Sequence, residues 1–151
     1  MKDIFPQINA WVAEGRKFAV ATVTGTWGSS PRPVGSSLII DETGNMAGSV
    51  SGGCVEGAVV KKAMGLLQDQ KAGGLPLHYG VSDEDAWAVG LSCGGKLEVY
   101  LEPFDYNREV AESLIYQTLA AQIAGNTGCV YVSELKEGPA AHFLVKADGT
   151  A

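Results

Sequence analysis

The chain has 151 residues, of which 46% are hydrophobic, and it carries a formal net charge of −6. This is enough apolar material for one ordinary hydrophobic core, so we predict one domain spanning residues 1–151. The acidic charge, with no basic cluster longer than Lys61-Lys62, excludes the positively charged surface of a nucleic-acid-binding protein.

The lengths of the apolar runs and the spacing of the cysteines indicate where the protein is located and whether its thiols are free. No apolar run approaches the roughly 20 residues that span a bilayer, and no apolar signal-peptide core follows Met1. We therefore expect a cytoplasmic protein without a membrane partner. The three cysteines are more than thirty residues apart, which gives neither a disulfide framework nor a close pair of metal ligands. Free thiols are expected.

The first part of the chain has the pattern of a helix followed by strands. Apolar residues at helical spacing from Ile4 to Val12 predict a helix that ends at Gly15. The β-branched runs Phe18 to Thr24 and Ser36 to Asp41 predict two strands. The loop between them, GTWGSSPRPVG, holds three glycines and two prolines, which predict a fixed irregular connection. The turn DETGN should then fold Met46 to Ser51 back against the second strand.

The remaining elements alternate between helices and strands without the regular spacing of βαβ units. We therefore predict an α/β fold of the α+β kind, in which helices pack on a mixed β-sheet and no Rossmann domain is present. The predicted elements are a helix over Val55 to Gln68, strands over Leu75 to Val81 and Lys96 to Glu102, a helix over Asn107 to Ile123, and a strand pair over Cys129 to Leu135 and Ala141 to Lys146.

A weak internal similarity relates the two ends of the chain. The order helix, glycine, FAVATVT, loop and SSLIIDETG resembles the later order helix, GNTG, CVYVSEL, loop and HFLVKADGT. One interpretation is that a helix-hairpin unit is duplicated. The other is that two unrelated helix-hairpin units share a common pattern.

The stretch SGGCVEG places glycines and a thiol at the passage from a strand to a helix. Ser51, Gly52 and Gly53 leave backbone N–H groups that can approach a ligand closely, as in anion-binding loops. The partial positive charge of a helix start lowers the pKa of a cysteine there, which makes Cys54 a candidate nucleophile or soft metal ligand. The alternative is that Cys54 fills space as a small buried hydrophobe.

Two further loops have similar composition. LSCGGKLEVY puts Cys93, Gly94 and Gly95 immediately before a strand, where they either share a ligand pocket with Cys54 or form a tight turn. In GTWGSSPRPVG, Arg32 stands between two prolines that restrict the backbone, and a rigidly held guanidinium suits phosphate or carboxylate recognition. A solvated surface arginine is the alternative. We expect Arg32, Cys54 and Cys93 to converge on one pocket.

Several signatures of nucleotide-dependent enzymes are missing from the sequence. The glycine-rich stretches lack the Gly-Lys-Ser/Thr of a P-loop, and no G-x-G-x-x-G follows a strand. His78 and His142 have no partner at catalytic or metal-ligand spacing. Cys129 lies in the apolar strand CVYV, which indicates core packing. No catalytic residue is predicted.

Three ordered motifs, GSSPRPVGSSLII, GSVSGGCVEG and YGVSDEDAWAVGLSCGGKLEVYLEP, resemble the XdhC/CoxI family of accessory factors for xanthine dehydrogenase and carbon monoxide dehydrogenase. The resemblance covers about residues 8–105 and is weaker over residues 106–151. It implies a maturation factor that transiently binds the molybdenum cofactor (molybdopterin) and passes it to an apo-molybdoenzyme. The cofactor-binding residues carried over by this resemblance are Arg32, Ser51, Gly52, Gly53, Cys54, Cys93, Gly94 and Gly95, with Cys54 also as a metal ligand.

The same resemblance implies partners beyond the cofactor. They are an apo-molybdoenzyme of the xanthine or carbon monoxide dehydrogenase type, a cysteine desulfurase, a separate Rossmann-domain partner and further copies of this chain in a homo-oligomer. Many members of the family continue into a C-terminal Rossmann-like domain, whereas this sequence stops at Ala151. Either a naturally short protein or a truncated one is expected.

Two other functions are compatible with the residues. One is a thiol-dependent sulfur transferase or redox enzyme that uses Cys54 and Cys93, although neither cysteine has a positioned acid-base partner in the sequence. The other is a regulatory interaction domain that does not touch a cofactor.

Overall fold

The secondary structure follows the predicted order of helices and strands. The structure, a computed structural model, describes residues 1–28, 32–68, 73–80, 95–104 and 110–150, without the side chains of residues 110–113. Within these residues the helices are α1 (Phe5–Ala13), α2 (Glu56–Gln68) and α3 (Val110–Ala124), and the strands are β1 (Phe18–Trp27), β2 (Ser37–Asp41), β3 (Met46–Gly48), β4 (Leu75–Tyr79), β5 (Lys96–Phe104), β6 (Cys129–Ser133) and β7 (His142–Lys146).

The strands form two sheets. One has five strands in the order β3-β2-β1-β5-β4, and the other is the hairpin of β6 and β7. The predicted class, helices packed on a β-sheet, is confirmed. The five-stranded sheet is antiparallel at each of its strand pairs rather than mixed. β1, β2 and β3 follow one another directly along the chain, and neighbours joined without a crossover element are antiparallel.

The alternation of side chains along β1 creates two cores. Ala19 and Ala21 face α2 and join a cluster with its buried residues, whereas Phe18 and Val20 face the opposite side. Residues with period two necessarily point to opposite faces of a sheet. The second core contains α1, Leu119 of α3 and the β6–β7 hairpin. The five-stranded sheet is therefore the middle layer of three.

The end of α1 and the end of α3 have the same backbone geometry. Gly15 and Asn126 both have positive φ, of 68° and 51°. Glycine and asparagine tolerate this conformation best, and it closes a helix by returning amides to its last carbonyls. The matching amide-to-carbonyl bonds are Arg16 to Trp11 at 2.9 Å and Thr127 to Gln122 at 2.8 Å, and Gly15 to Val12 at 3.0 Å and Asn126 to Ile123 at 3.1 Å.

The β-hairpins that follow these two helices have the same number of paired residues. Each has five consecutive antiparallel pairs, which start at Phe18 opposite Asp41 in one hairpin and at Cys129 opposite Lys146 in the other. Each closing turn has one amide bonded to a carbonyl four residues later, at 2.9 Å from Asp41 to Asn45 and 2.8 Å from Lys146 to Thr150. The two helix-hairpin units therefore share their cap geometry and hairpin register, and the choice between a duplicated unit and a common pattern stays open.

The second helix-hairpin unit is docked on the five-stranded sheet by close backbone contact near β4 and β5. The amide of Gly74 donates to the carbonyl of Gly138 at 2.7 Å, and the amide of Gly138 donates back at 3.0 Å. A Cβ atom on Gly74 would lie 1.6 Å from the hydroxyl oxygen of Tyr100, so a side chain there is excluded. The Tyr100 hydroxyl in turn donates to the carbonyl of Lys136 at 2.8 Å. These contacts hold β6 and β7 over one face of the sheet.

Several boundaries differ from the sequence prediction: β3, β4 and β6 end earlier than predicted, and β5 ends later. β1 continues to Trp27 instead of ending at Thr24, because the first residues of β5 pair with it beyond a bulge between Val23 and Gly25. α2 begins at Glu56, one residue later than predicted. None of the helices in the described part of the chain is long and apolar enough to cross a membrane.

Candidate functional site

Several strand ends lie side by side at one end of the five-stranded sheet. β1 ends at Trp27 opposite the first residue of β5, and β4 ends at Tyr79 opposite the second. β3 ends at Gly48 opposite the second residue of β2. Three connections therefore join the sheet at this end, which we call the loop end: residues 28–36, 49–55 and 80–95.

The three predicted ligand loops are attached to the loop end. Arg32 belongs to the first connection, Cys54 to the second, and Gly95 is the buried residue directly before β5. Cys93 and Gly94 lie outside the described residues. The topology thus brings the attachment points of all three loops together, and the convergence of the Arg32, Cys54 and Cys93 side chains stays a prediction.

The arginine loop is held by backbone hydrogen bonds to Val23, at the bulge of β1. The amide of Gly35 donates to the carbonyl of Val23 at 2.8 Å, and Gly35 has a φ of 87°, which favours glycine. Arg32 is exposed in this loop. Two large apolar side chains beside it are also exposed, Trp27 by 77% and Val34 by 59%. The loop end therefore presents a cation next to apolar surface.

Cys54 lies in the turn between β3 and α2, as predicted. Gly52 and Gly53 have φ angles of 76° and 119°, so this turn needs residues without a Cβ atom. Cys54 is half-buried, since one side packs against the core beneath α2. The thiol is therefore partly accessible, which leaves it available to a ligand as well as to the core.

The anion-binding amides of this turn are already used by a side chain of the protein. The Glu56 carboxylate accepts hydrogen bonds from the amides of Ser51 at 2.9 Å and Gly53 at 2.8 Å. It also accepts bonds from the hydroxyls of Ser49, at 2.7 Å, and Ser51. The amide of Gly52 donates to the Ser49 hydroxyl at 2.9 Å. The prediction that Ser51, Gly52 and Gly53 offer bare amides to a ligand is therefore corrected, because the described turn binds its own carboxylate.

The hydrogen bonds determine the protonation state of Glu56. Burial of this carboxyl would raise its pKa, but the donors from Ser51 and Ser49 outweigh burial and lower the pKa to about 2. Glu56 is only 6% exposed. It is therefore a buried anion at neutral pH, placed two residues after Cys54.

Sequence reasoning did not identify Glu56 as part of the site. The available signal was its position three residues after Gly53, the spacing at which the glutamate of a capping box returns its carboxylate to a preceding backbone amide. The number of donors that gather around it could not be read from that spacing.

A cavity of about 630 Å³ lies between the two sheets, on the face of the five-stranded sheet opposite α2. Thr22 of β1, Ser37 of β2 and Tyr100 of β5 lie in one row across its floor, because their strands are paired in register at these residues. Gly35 of the arginine loop lines it as well. The cavity therefore adjoins the loop end, and Cys54 packs on the other face of the sheet.

A polar cluster joins the two sheets next to the cavity. Nε2 of His142 lies 3.5 Å from the Glu102 carboxylate, and the Ser133 hydroxyl donates to Glu102 at 3.4 Å. Nδ1 of His142 lies 2.9 Å from the Tyr131 hydroxyl and 3.1 Å from that of Ser133. Burial lowers the pKa of His142, which favours its neutral form.

The cluster corrects the expectation that His142 has no partner. Its partners are Tyr131 and Ser133 of β6, with Ser133 directly opposite His142 in the hairpin, and Glu102 of β5, which only the docking of the hairpin on the five-stranded sheet brings near. His78 is also paired, because its Nδ1 lies 3.8 Å from the Glu98 carboxylate on the surface. Cys129 is half-buried and packs against the second core, as predicted.

The described residues include no group of three or more His, Cys, Asp or Glu side chains arranged to hold a metal ion. Cys54 as a metal ligand would therefore supply a single thiolate to a metal that brings its other ligands with it.

The sequence matches a known family and several longer proteins. Residues 11–80 match the XdhC and CoxI family. The chain is 26% identical over 102 residues to a probable xanthine dehydrogenase subunit of Bacillus subtilis, covering 68% of this chain and 31% of that protein. It is 32% identical over 91 residues to the molybdenum cofactor insertion chaperone PaoD of Escherichia coli, covering 58% of this chain and 26% of that protein.

The fold is also found in a solved structure. A crystal structure of a xanthine dehydrogenase from Bacillus halodurans superposes with a TM-score of 0.68 at 27% identity, over 95% of this chain and 42% of that one. The similarity therefore extends beyond residues 11–80 to the second helix-hairpin unit. The chain spans less than a third of the length of the two curated relatives named above.

Proposed function

We propose that this chain, whose residues 11–80 match the XdhC and CoxI family, binds the molybdenum cofactor and passes it to an apo-molybdoenzyme of the xanthine dehydrogenase type. The observation that supports the proposal most is the loop end, where the strand ends that carry the three motif-bearing loops lie side by side next to a cavity. The name of the Escherichia coli relative, a molybdenum cofactor insertion chaperone, agrees with it.

The residues at the loop end suit the chemical groups of this cofactor. Molybdopterin carries a phosphate, a dithiolene and a pterin. The exposed Arg32 guanidinium suits the phosphate, and the half-buried Cys54 thiol suits a soft-ligated metal. Bound cofactor would supply the redox chemistry of its metal to the recipient enzyme. The chain itself would hold the cofactor and limit the access of water and oxygen to it.

Because backbone amides of the Cys54 turn are bonded to Glu56, other groups must bind the cofactor phosphate. Because Glu56 takes the donors of Ser51 and Gly53, the phosphate is assigned to Arg32 and not to the helix start. The carboxylate also adds negative charge beside Cys54, which favours the release of an anionic ligand over its permanent retention. Transient binding is what a delivery factor requires.

The partners belong to the same proposal. We expect an apo-molybdoenzyme as the recipient, a cysteine desulfurase as the source of sulfur for the cofactor, and a Rossmann-domain protein or segment as a further component. Assembly into a homo-oligomer and a cytoplasmic location are likewise proposed. We propose that residues 1–151 act as one domain in this pathway.

A transfer assay tests the delivery role. The chain is loaded with molybdenum cofactor, freed of excess cofactor by gel filtration and mixed with apo-xanthine dehydrogenase, and the appearance of enzyme activity is followed. Loaded chain should activate the enzyme faster than the same amount of free cofactor kept for the same time in air. Equal rates would contradict a delivery role.

A sulfur transferase or redox enzyme is the second candidate, and the partly accessible Cys54 thiol is the feature that favours it. In the described part of the chain, no histidine or carboxylate is hydrogen-bonded to that thiol to act as its base. A sulfur-transfer assay with thiosulfate and cyanide separates the two functions, since the delivery factor should show no turnover that depends on Cys54.

A further inference from the structure

We propose that Trp27 is the surface on which the pterin ring of the cofactor stacks, and that Glu98 accepts hydrogen bonds from the edge of that ring. The inference rests on the proposed function and assigns a position to the organic part of the ligand. Both residues belong to an open part of the five-stranded sheet, which we call the shelf and define by Gly25, Trp27, His78, Lys96 and Glu98.

The strand register places the shelf on the same face of the sheet as the cavity. Residues that are directly paired across two strands have their side chains on one face. The pairs are Trp27 with Lys96, Gly25 with Glu98, and His78 with Glu98. Tyr100, two residues after Glu98 along β5, lines the cavity. The shelf therefore lies between the cavity and the loop end.

The shelf is open to solvent. Trp27 is 77% exposed, and the side chains of His78 and Glu98 are 67% and 57% exposed. Such exposure is unusual for tryptophan, whose large ring is mostly buried in folded proteins. An exposed aromatic ring offers its face to a planar heterocycle, and stacking of this kind stabilises the binding of nucleic-acid bases to proteins. Trp27 therefore suits the pterin ring.

A bulge and a glycine bring the Glu98 carboxylate next to Trp27. β1 has an irregular register between Val23 and Gly25, and a Cβ atom on Gly25 would lie 2.6 Å from Oε2 of Glu98. The carboxylate therefore lies over β1 at Gly25, two residues before Trp27. Bulges and glycines within strands often occur where a ligand comes close to the backbone.

Glu98 can accept hydrogen bonds from a ligand on the shelf. In the described part of the chain its carboxylate has one ion pair, at 3.8 Å from Nδ1 of His78, which is longer than a hydrogen bond. A pterin has two parallel donors at one edge, the ring N3–H and the 2-amino group, and one carboxylate can accept both. A ring stacked on Trp27 would turn this edge toward Glu98.

The cations beside the shelf suit the anionic part of the same ligand. Lys96 is exposed and directly opposite Trp27, and Arg32 belongs to the connection that follows β1. With its ring on the shelf, the ligand would extend its phosphate past the strand ends toward these two cations. This agrees with the assignment of the phosphate to Arg32.

Calorimetric titration of the full chain with 6-hydroxymethylpterin tests the role of Trp27. Trp27→Ala should weaken binding at least about fivefold, the low end of the loss expected when a stacked aromatic side chain is removed. Trp27→Phe keeps an aromatic face and should retain most of the affinity. Phe143→Ala is the matched control, since Phe143 is also an exposed aromatic residue but lies in β7, and it should leave the affinity unchanged.

Lumazine, which has an oxygen in place of the 2-amino group, tests the role of Glu98. The wild type should bind the pterin about two- to tenfold more tightly than lumazine, the difference expected for one hydrogen bond. Glu98→Gln should remove this preference. Glu42→Gln is the control, because Glu42 is exposed in the turn after β2, and it should leave the preference unchanged.

Equal pterin affinity of the wild type and Trp27→Ala, or no pterin binding by the wild type, would overturn the inference. If molybdopterin were still retained in either case, the proposed function would stand with the ring bound elsewhere. Equal affinity of the wild type for pterin and lumazine would overturn the assignment of Glu98. Slower activation of the apo-enzyme by Trp27→Ala at unchanged pterin affinity would place Trp27 in the contact with that enzyme and also overturn the inference. Pterin binding that depends on Trp27, without retention of molybdopterin, would support the shelf and contradict the proposed function.

Discussion

The carboxylate of Glu56 accepts a 2.8 Å hydrogen bond from the backbone amide of Gly53, so the residues on either side of the Cys54–Val55 pair are tied together. The same carboxylate binds the amide of Ser51. The turn that presents Cys54 is therefore shaped by an internal anion. Its geometry does not depend on a bound ligand.

Replacing Glu56 should destabilise the protein. In Glu56→Gln, the amide nitrogen of the new side chain cannot accept from Gly53 or Ser51, and buried donors lose their partner. We expect the free energy of unfolding to fall by about 2 kcal/mol. Urea denaturation measures this change. Glu42→Gln is the control, because Glu42 is exposed, and its effect should stay within about 0.5 kcal/mol. Equal effects for the two variants would contradict the role of Glu56.

The free energy of unfolding should depend on pH in the acid range because the pKa of Glu56 is lowered in the folded protein. Its pKa is about 2 in the folded protein and 4.5 in the reference state, so unfolding takes up a proton when the pH lies between these values. The stabilisation is complete above about pH 5 and is lost as the pH falls toward 2. Burial opposes the low pKa of Asp41, but donors from Asn45, Thr43 and Arg16 lower it in the same direction. In Glu56→Gln the free energy of unfolding should therefore fall less steeply as the pH is lowered. It should still fall, because Asp41 contributes in the same direction. An unchanged slope would show that Glu56 is not a buried anion.

Gly48→Ala should be strongly destabilising. Gly48 has a φ of 93°, and a Cβ atom there would lie 2.3 Å from the carbonyl oxygen of Ser37. We expect a loss of about 2–4 kcal/mol, measured by denaturant unfolding. Gly65→Ala is the matched control, because no heavy atom lies within 4 Å of a Cβ there, and it lies inside α2. It should stabilise the helix by up to about 1 kcal/mol. A tolerated alanine at position 48 would contradict the geometry of the β2–β3 pair.

Cys54→Ser should weaken molybdopterin binding without unfolding the protein. Serine is close in volume, and Cys54 is only half-buried, so the free energy of unfolding should change by less than about 1.5 kcal/mol. Ala58→Ser is the control, since Ala58 is also half-buried, lies in α2 and does not line the cavity. Retained pterin should fall for position 54 and not for position 58. If the position 54 variant retains as much as wild type, Cys54 has a structural role.

Much of the fold could be predicted from local patterns. The apolar, β-branched runs predicted β1 and β2, and the glycine turn predicted the return of β3, because these signals depend on neighbours in sequence. The duplicated unit was visible only as one of two interpretations. The structure adds the matching hydrogen bonds at Gly15 and Asn126 and the common hairpin register, which sequence patterns do not encode.

The candidate site could be predicted only in part. The position of Cys54 follows from the strand-turn-helix pattern, but its neighbour Glu56 was missed because the donors around it come from a folded turn. The contact of His142 with Glu102 joins residues forty positions apart in two different sheets. Such contacts depend on how layers pack, which neither spacing nor composition encodes.

The central claim, that this chain binds molybdopterin, is tested most directly by retention. Purified wild-type chain is mixed with molybdopterin, separated from free cofactor by gel filtration, and oxidised so that bound pterin is detected by fluorescence. We predict that pterin elutes with the protein and that Arg32→Ala lowers the amount. Pterin that elutes only as free compound, while the longer Bacillus subtilis relative retains it under the same conditions, would contradict the claim.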